Sequence, residues 1–271
     1  MSPSAAPGLG ENSSGADRRP ETIPQYSAGR ILGLWAAVTA PMGLLAFVVA
    51  PLMAPHVGLH RGLLHWILMV VGMAWQCVLS IMLLRREGPM DWVAVRQRIW
   101  LNGPRDPGTG QARARLWWWV VPAIAANVLL GFAADPLVSL WSRLTGLEEP
   151  AWASITALAQ PEFVGQWWIV GLALVSSAFN YVLGEELFFR GILLPRMEKA
   201  FGRWDWVVNT LLFGLYHVHK IWFWPAMVMS SFGIVWAARR YRSLWMSIAV
   251  HGVESLFVIV VLAVVAGWWM P

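Results

Sequence analysis

The sequence predicts an all-α fold, a polytopic transmembrane helical bundle of seven to eight spans, and three observations carry that reading. Apolar residues make up 58% of the 271 and charged ones only 13%, with a mean hydropathy of +0.54; a soluble domain would be nearer a quarter charged. Apolar runs of about 20 residues recur, the length that crosses a hydrocarbon core of about 30 Å. Lysine and arginine collect in alternate connections between those runs, as the cytoplasmic side of a membrane protein requires.

Met1 to Ser27 is rich in Ser, Pro, Gly and Ala and lacks the central apolar run of a signal peptide, so 1–27 reads as a disordered cytoplasmic tail. The remainder, 28–271, reads as one transmembrane domain with no internal repeat and no linker. Apolar segments follow at about 31–55, 62–84, 116–138, 164–189, 205–223, 224–238 and 244–269, with room for an eighth in the connections. Continuous runs, not short alternating strands, select helices over a barrel. The tail (Arg18, Arg19, Arg30), connection 85–115, segment 190–203 and the turn Arg239, Arg240, Arg242 fall on one side. The connections at 56–61, at 139–163 and near Lys220 are poorer in base.

That alternation places the N-terminus in the cytoplasm and Pro271 on the opposite side of what is expected to be the plasma membrane. It also accounts for the net charge of +5 and pI near 10 without a nucleic-acid partner, leaving membrane lipid as the first partner. Twenty tryptophans, many near span ends as in "LWWWVV", "GQWWIV" and "AGWWM", fit interfacial belts. The single cysteine, Cys77, lies in an apolar run; no intramolecular disulfide or thiol pair follows, and packing is its expected role.

An ionised side chain at the middle of a membrane helix costs roughly 2.5–3.5 kcal/mol, so polar residues inside apolar runs are the candidates for function. They are Glu185, Glu186, His217, His251 and Glu254, with Asp135 and His65 nearer span ends. In "EELFFR", Glu186 and Arg190 share one helical face and can pair, which turns Glu185 to a neighbouring face. His217 follows Phe213 by one turn in "FGLYHVH", and Glu254 and Ser255 follow His251 by one turn in "HGVESLF".

Three helices thus present polar groups to a common interior. One unpaired glutamate with two histidines in a space that excludes bulk water suits activation of a water molecule for hydrolysis. The same set, Glu185, His217 and His251, has the ligand count of a catalytic zinc site, although no HExxH is present. Buried Glu and His also suit a non-proteolytic membrane protein, a proton-coupled carrier or a scaffold, but a carrier favours inverted repeats, and none is found. His219 is expected to be interfacial, His56, His60 and His65 to mark a wet turn, and the basic stretch 85–115 to be a solvated loop.

The order EExxxR (Glu185, Glu186, Arg190), FxxxH (Phe213, His217) and then a histidine one turn before a small polar residue (His251, Ser255) resembles the CAAX prenyl endopeptidase and bacteriocin-processing family (CPBP, or Abi) of intramembrane proteases. "FFRGILLPRMEKAFGRW" and "SLWMSIAVHG" are similar to its flanking text. The motif-bearing core covers about 164–257, and the first three spans match only in being hydrophobic. The resemblance implies a metalloprotease-like intramembrane endopeptidase whose substrate, a membrane-associated protein or peptide, enters between helices.

It also implies Glu185 as general base, Glu186 and Arg190 as a supporting pair, His217 as the group that positions the water, and His251 as a donor to the oxyanion. No cofactor is required if the glutamate suffices; Zn2+ is the alternative. One position departs from the family pattern. Ser255 stands where asparagine is usual, one donor in place of an amide's two, and Glu254 beside it is a second candidate for that role.

Depth sets a condition on this site. Counted from Asp205, His217 lies about 18 Å from the cytoplasmic edge, whereas a fourth span ending near Arg190 leaves Glu185, like His251, at about 8–11 Å. The groups meet if the fourth span runs on past Arg190 towards Pro195 or if the fifth starts later or tilts, and the apolar face of "LFFRGILL" favours the first.

Overall fold

Capping residues set where several helices start. The computed structural model describes residues 23–269, and among them the only extended pairing is an isolated bridge between Arg105 and Ala112. Ser27 accepts from the Arg30 amide at 3.3 Å to open α1 (Ala28–Met53). His60 Nδ1 accepts from Gly62 at 3.2 Å to open α2 (Arg61–Glu87), and Asp91 accepts from Ala94 at 3.1 Å to open α3 (Trp92–Arg98). Then come α4 (Ala114–Ala133), α5 (Asp135–Thr145), α6 (Trp168–Arg196), α7 (Asp205–Tyr216), α8 (Val218–Met229), α9 (Phe232–Tyr241) and α10 (Leu244–Val265).

Five of these, α1, α2, α4, α6 and α10, are long and apolar enough to cross a membrane, and α8 with α9, bent by 54°, would make a sixth. The chain is an integral membrane protein with five to six candidate spans among the described residues, short of the seven to eight expected. The difference lies at 205–238. The run 205–223 is no single helix: α7 has 12 residues, about 18 Å, and ends at His217, whose φ of −73° and ψ of 47° leave the helical region. The run 224–238 is divided by the bend between α8 and α9.

Leu44, Leu52, Leu129, Phe132, Leu174 and Ile259 stand exposed, as do Trp117, Trp118, Trp119, Trp167 and Trp168, a surface suited to lipid. Other tryptophans turn inward: Trp35 donates to Leu212 O at 2.7 Å, Trp66 to Ser176 Oγ at 2.9 Å and Trp224 to His217 O at 3.1 Å. Lipid tails are as apolar as leucine, so close packing holds such a bundle together. The largest core joins α1, α2, α6 and α7 through Met42, Met69, Met73, Phe188, Phe189 and Phe213. Gly214 lets α8 fold back on α7, for a Cβ there would stand 2.4 Å from Val228 Cγ2 and 2.7 Å from its Cα.

One end of α6 is locked by Arg196, which is fully buried although the sequence counts it among the charges of a connection. It donates to both Glu87 oxygens, at 2.7 Å from Nε to Oε1, and to Ile192 O at 2.8 Å. Tyr26 also donates to Glu87, and burial together with that carboxylate pushes its hydroxyl up to about 12, so it stays a donor. Of the tail expected at 1–27, residues 1–22 lie outside the described residues, while Gln25 and Tyr26 are fastened to Pro195 and Arg196, with Gln25 Nε2 2.9 Å from Pro195 O.

The stretch 85–115 is likewise folded and not a plain solvated loop: Arg98 is buried and donates to Leu84 O at 2.9 Å and to Pro89 O. Removing one partner of a buried ion pair typically costs about 3–5 kcal/mol, so Glu87→Ala should lower the thermal melt in detergent sharply, and Tyr26→Phe should cost less, about 1.5–3 kcal/mol.

Candidate active site

Glu185 and Glu186 sit where α6 widens. Two stretches of it, Phe179–Leu183 and Glu186–Leu193, are π-helical, and the Gly184 amide bonds to Phe179 O, five residues back, at 2.8 Å. Such turns are rare and frequent at functional sites. Glycine is required between them, since a Cβ at 184 would lie 2.7 Å from Phe179 O and 3.1 Å from both Met73 O and Met73 Cβ of α2. The resulting close approach sinks Glu185 to 4% and Glu186 to 0% exposure. As the depth condition demands, α6 runs on to Arg196, which puts Glu185 up to about 17 Å from that end, level with His217 on α7.

The two glutamates have different partners. Glu186 Oε1 faces Arg190 Nη1 at 3.0 Å, the i,i+4 pair expected, and His251 Nδ1 at 2.8 Å. A carboxylate oxygen only accepts, so Nδ1 of His251 bears a hydrogen and Nε2 is turned away from Glu186. The Arg190 guanidinium lies 3.8 Å from the centre of the Phe213 ring, a cation–π contact that gives the first residue of FxxxH a physical role. That ring also meets the edges of His217 and His251, at centroid distances of 4.8 and 5.7 Å.

Glu185 has no arginine. Its Oε1 stands 3.9 Å from His217 Nε2, beyond hydrogen-bond length. His217 Nδ1 is 2.9 Å from Phe213 O, and because a carbonyl cannot donate, the hydrogen sits on Nδ1 and the lone pair of Nε2 is directed at Glu185. Glu185, His217 and His251 all line one cavity of about 390 Å³, whose wall Tyr181 and Trp152 share. The expected convergence of these three is present, and Glu186 and Arg190 stand behind it.

Of the two neighbours proposed for His251, only one faces it. Glu254 Oε2 is 3.7 Å from His251 Nε2, and its side chain is 60% exposed on the cavity rim. Ser255 donates instead to Gly252 O at 2.6 Å, within its own turn. Asp135 lies at the start of α5, exposed and outside the cavity.

Two histidines belong to this space that the sequence reading put elsewhere. His219, expected to be interfacial, is 6% exposed and lines the cavity beside His65, which is packed on Trp152 at 5.0 Å and not on a wet turn. The ring centroids of His217 and His219 are 5.5 Å apart. Residues two apart share a side only where the chain is not helical, and the break at His217 with the irregular Lys220 (φ −127°, ψ 40°) makes it so. Among the described residues no group of three or more His, Cys, Asp or Glu is arranged to hold a metal ion. Nδ1 of His217 is held by Phe213 O and Nδ1 of His251 by Glu186, which leaves Nε2 as the available nitrogen of each, as in histidines that bind zinc, so the donor types of Glu185, His217 and His251 would suit the metal.

Residues 165–257 match the family model described as type II CAAX prenyl endopeptidase Rce1-like. No curated protein and no solved structure matches the chain. The matched stretch holds Glu185, Glu186, Arg190, Phe213, His217 and His251, so the resemblance carried by those residues holds over it.

Proposed function

We propose that this chain, whose membrane domain carries an Rce1-like segment, is an intramembrane endopeptidase that hydrolyses a peptide bond of a membrane-associated protein or peptide, as a CAAX protease does. The observation that carries the proposal is Glu185 facing His217 Nε2 across 3.9 Å on the cavity wall, with no cation tied to Glu185. One water oxygen can touch both groups. Glu185 removes its proton as the oxygen attacks the substrate carbonyl, and His217 holds the water in line through Nε2. The oxyanion of the tetrahedral intermediate then meets Nε2–H of His251, which acts as the imidazolium, its Nδ1–H held by Glu186 and that carboxylate by Arg190. Glu185 returns the proton to the departing amine.

Activity that survives a chelator would separate this route from the zinc-assisted, metalloprotease one, and activity lost to a chelator and restored by Zn2+ would favour the latter. The experiment for the proposal is purification in detergent and cleavage of a quenched peptide ending in a prenylated C-a-a-X sequence, with its unprenylated twin beside it. Release of fluorescence supports the reading, and the absence of any cut in either peptide speaks against it.

In the same proposal the N-terminus and residues 85–115 face the cytoplasm at the plasma membrane, with the C-terminus opposite, as the arginine pattern supports. A reporter fused at residue 100 should read as cytoplasmic. The third motif also gives a sharp expectation. Ser255→Ala should alter turnover by no more than about twofold, the scale of a substitution that breaks no special feature. Glu254→Gln should lower it by up to about fivefold, the worth of a solvent-exposed ion pair to His251 at 3.7 Å.

A further inference from the structure

Two buried polar groups that do not line the cavity stand behind Glu185, Tyr216 next to it and Gln76 next to Tyr216. Tyr216 on α7 is fully buried and its hydroxyl has no hydrogen-bond partner; Gln76 on α2 is fully buried with both amide atoms unpartnered. The Gln76 amide and the Glu185 carboxylate both lie within electrostatic reach of the Tyr216 hydroxyl, with neither at hydrogen-bond geometry. Packing alone explains neither side chain. The Tyr216 ring is seated between Phe189 at 5.2 Å and His217 at 5.0 Å, contacts that phenylalanine would make equally well. A buried polar group left unmatched costs about 1–3 kcal/mol, so leucine would serve better than Gln76 if space filling were its whole role. Gln76 follows, by one turn on the same face of α2, the Met73 that Gly184 admits against α6. The contact that sinks Glu185 thus also delivers the amide.

We propose that Tyr216 and Gln76 are positioning residues for the general base: Tyr216 donates its hydroxyl to Glu185, Gln76 donates its amide to the Tyr216 oxygen, and together they keep Glu185 Oε1 turned to His217. This rests on the reading of Glu185 as the base. The chain needs three helices for it, one group from each, and neither partner touches substrate.

The test uses the full-length protein in detergent and the quenched prenylated peptide. Tyr216→Phe should lower kcat about 10- to 100-fold, the worth of a hydrogen bond to a charged group, with KM and thermal melt unchanged. In the Glu185→Gln background the same change should cost nothing further, because the two groups act as one unit. A readout independent of turnover is the infrared band of the Glu185 carboxyl or carboxylate, identified by its loss in Glu185→Gln; it should shift in Tyr216→Phe and shift less in Gln76→Leu. An unmoved band, or losses that add in the double variant, overturns the proposal. Full activity in Glu185→Gln would instead sink the assignment of the base. An inactive Glu185→Gln beside a fully active Tyr216→Phe with an unmoved band removes only the positioning pair.

Discussion

Glu185→Gln should yield a folded protein that cleaves about 100- to 10,000-fold more slowly than the parent, the usual loss when a proton-transferring group is removed. The amide keeps the shape of the side chain and its neighbours. Glu185 makes no direct ion pair with Arg190, which keeps Glu186 at 3.0 Å, and it lies 3.9 Å from a histidine whose lone pair faces it, so neutralising it leaves no buried cation without a partner. The thermal melt should therefore stay close to that of the parent. The adjacent position should behave in the opposite way. Glu186→Gln strips the partner from the fully buried Arg190 and should cost about 3–5 kcal/mol of stability. Two neighbouring glutamates with one isosteric change each would then separate chemistry from support, and equal melts for the two variants would contradict the division.

His251→Ala is the second large effect expected. Its Nε2 is the one imidazole donor oriented by a carboxylate, through Nδ1 on Glu186 at 2.8 Å, and removal of a preorganised oxyanion donor typically lowers kcat about 100- to 1,000-fold. KM should change little, because the donor matters most once charge develops on the carbonyl oxygen. Glu186 retains Arg190, so the loss of stability should stay near that of one charged hydrogen bond, about 1.5–3 kcal/mol. A loss confined to KM would move His251 from transition-state stabilisation to substrate binding.

The pairing of Glu186 with Arg190, the freedom of Glu185 and the extension of α6 past Arg190 were all legible in the residues, because they follow from helical spacing and from depth counted along a helix. What widened the helix was not. The π turns depend on Gly184 meeting Met73 of a distant span, and nothing in "YVLGEEL" names that neighbour. The span count failed at 205–238 for a related reason: hydropathy adds up apolar residues across a break such as His217 as readily as along one helix.

Charge counting misplaced Arg98 and Arg196 because a guanidinium held by carbonyls or by a carboxylate can be buried beside the loop it was counted in. Spacing put Ser255 one turn from His251 but could not foresee that its hydroxyl turns back to Gly252. Tyr216 escaped notice inside "FGLYHVH" because its ring alone satisfies an apolar pattern, while only its buried, unpartnered hydroxyl asks for a polar neighbour.

Hydrolysis in water enriched in ¹⁸O tests the central claim most directly. With the purified protein and the quenched prenylated peptide, mass spectrometry should find one heavy oxygen in the new carboxylate of the N-terminal product, with chelator present, and should lose that product with Glu185→Gln. An intact peptide after prolonged incubation, or the same labelled product at an undiminished rate from Glu185→Gln, would contradict a glutamate-activated water in this membrane site.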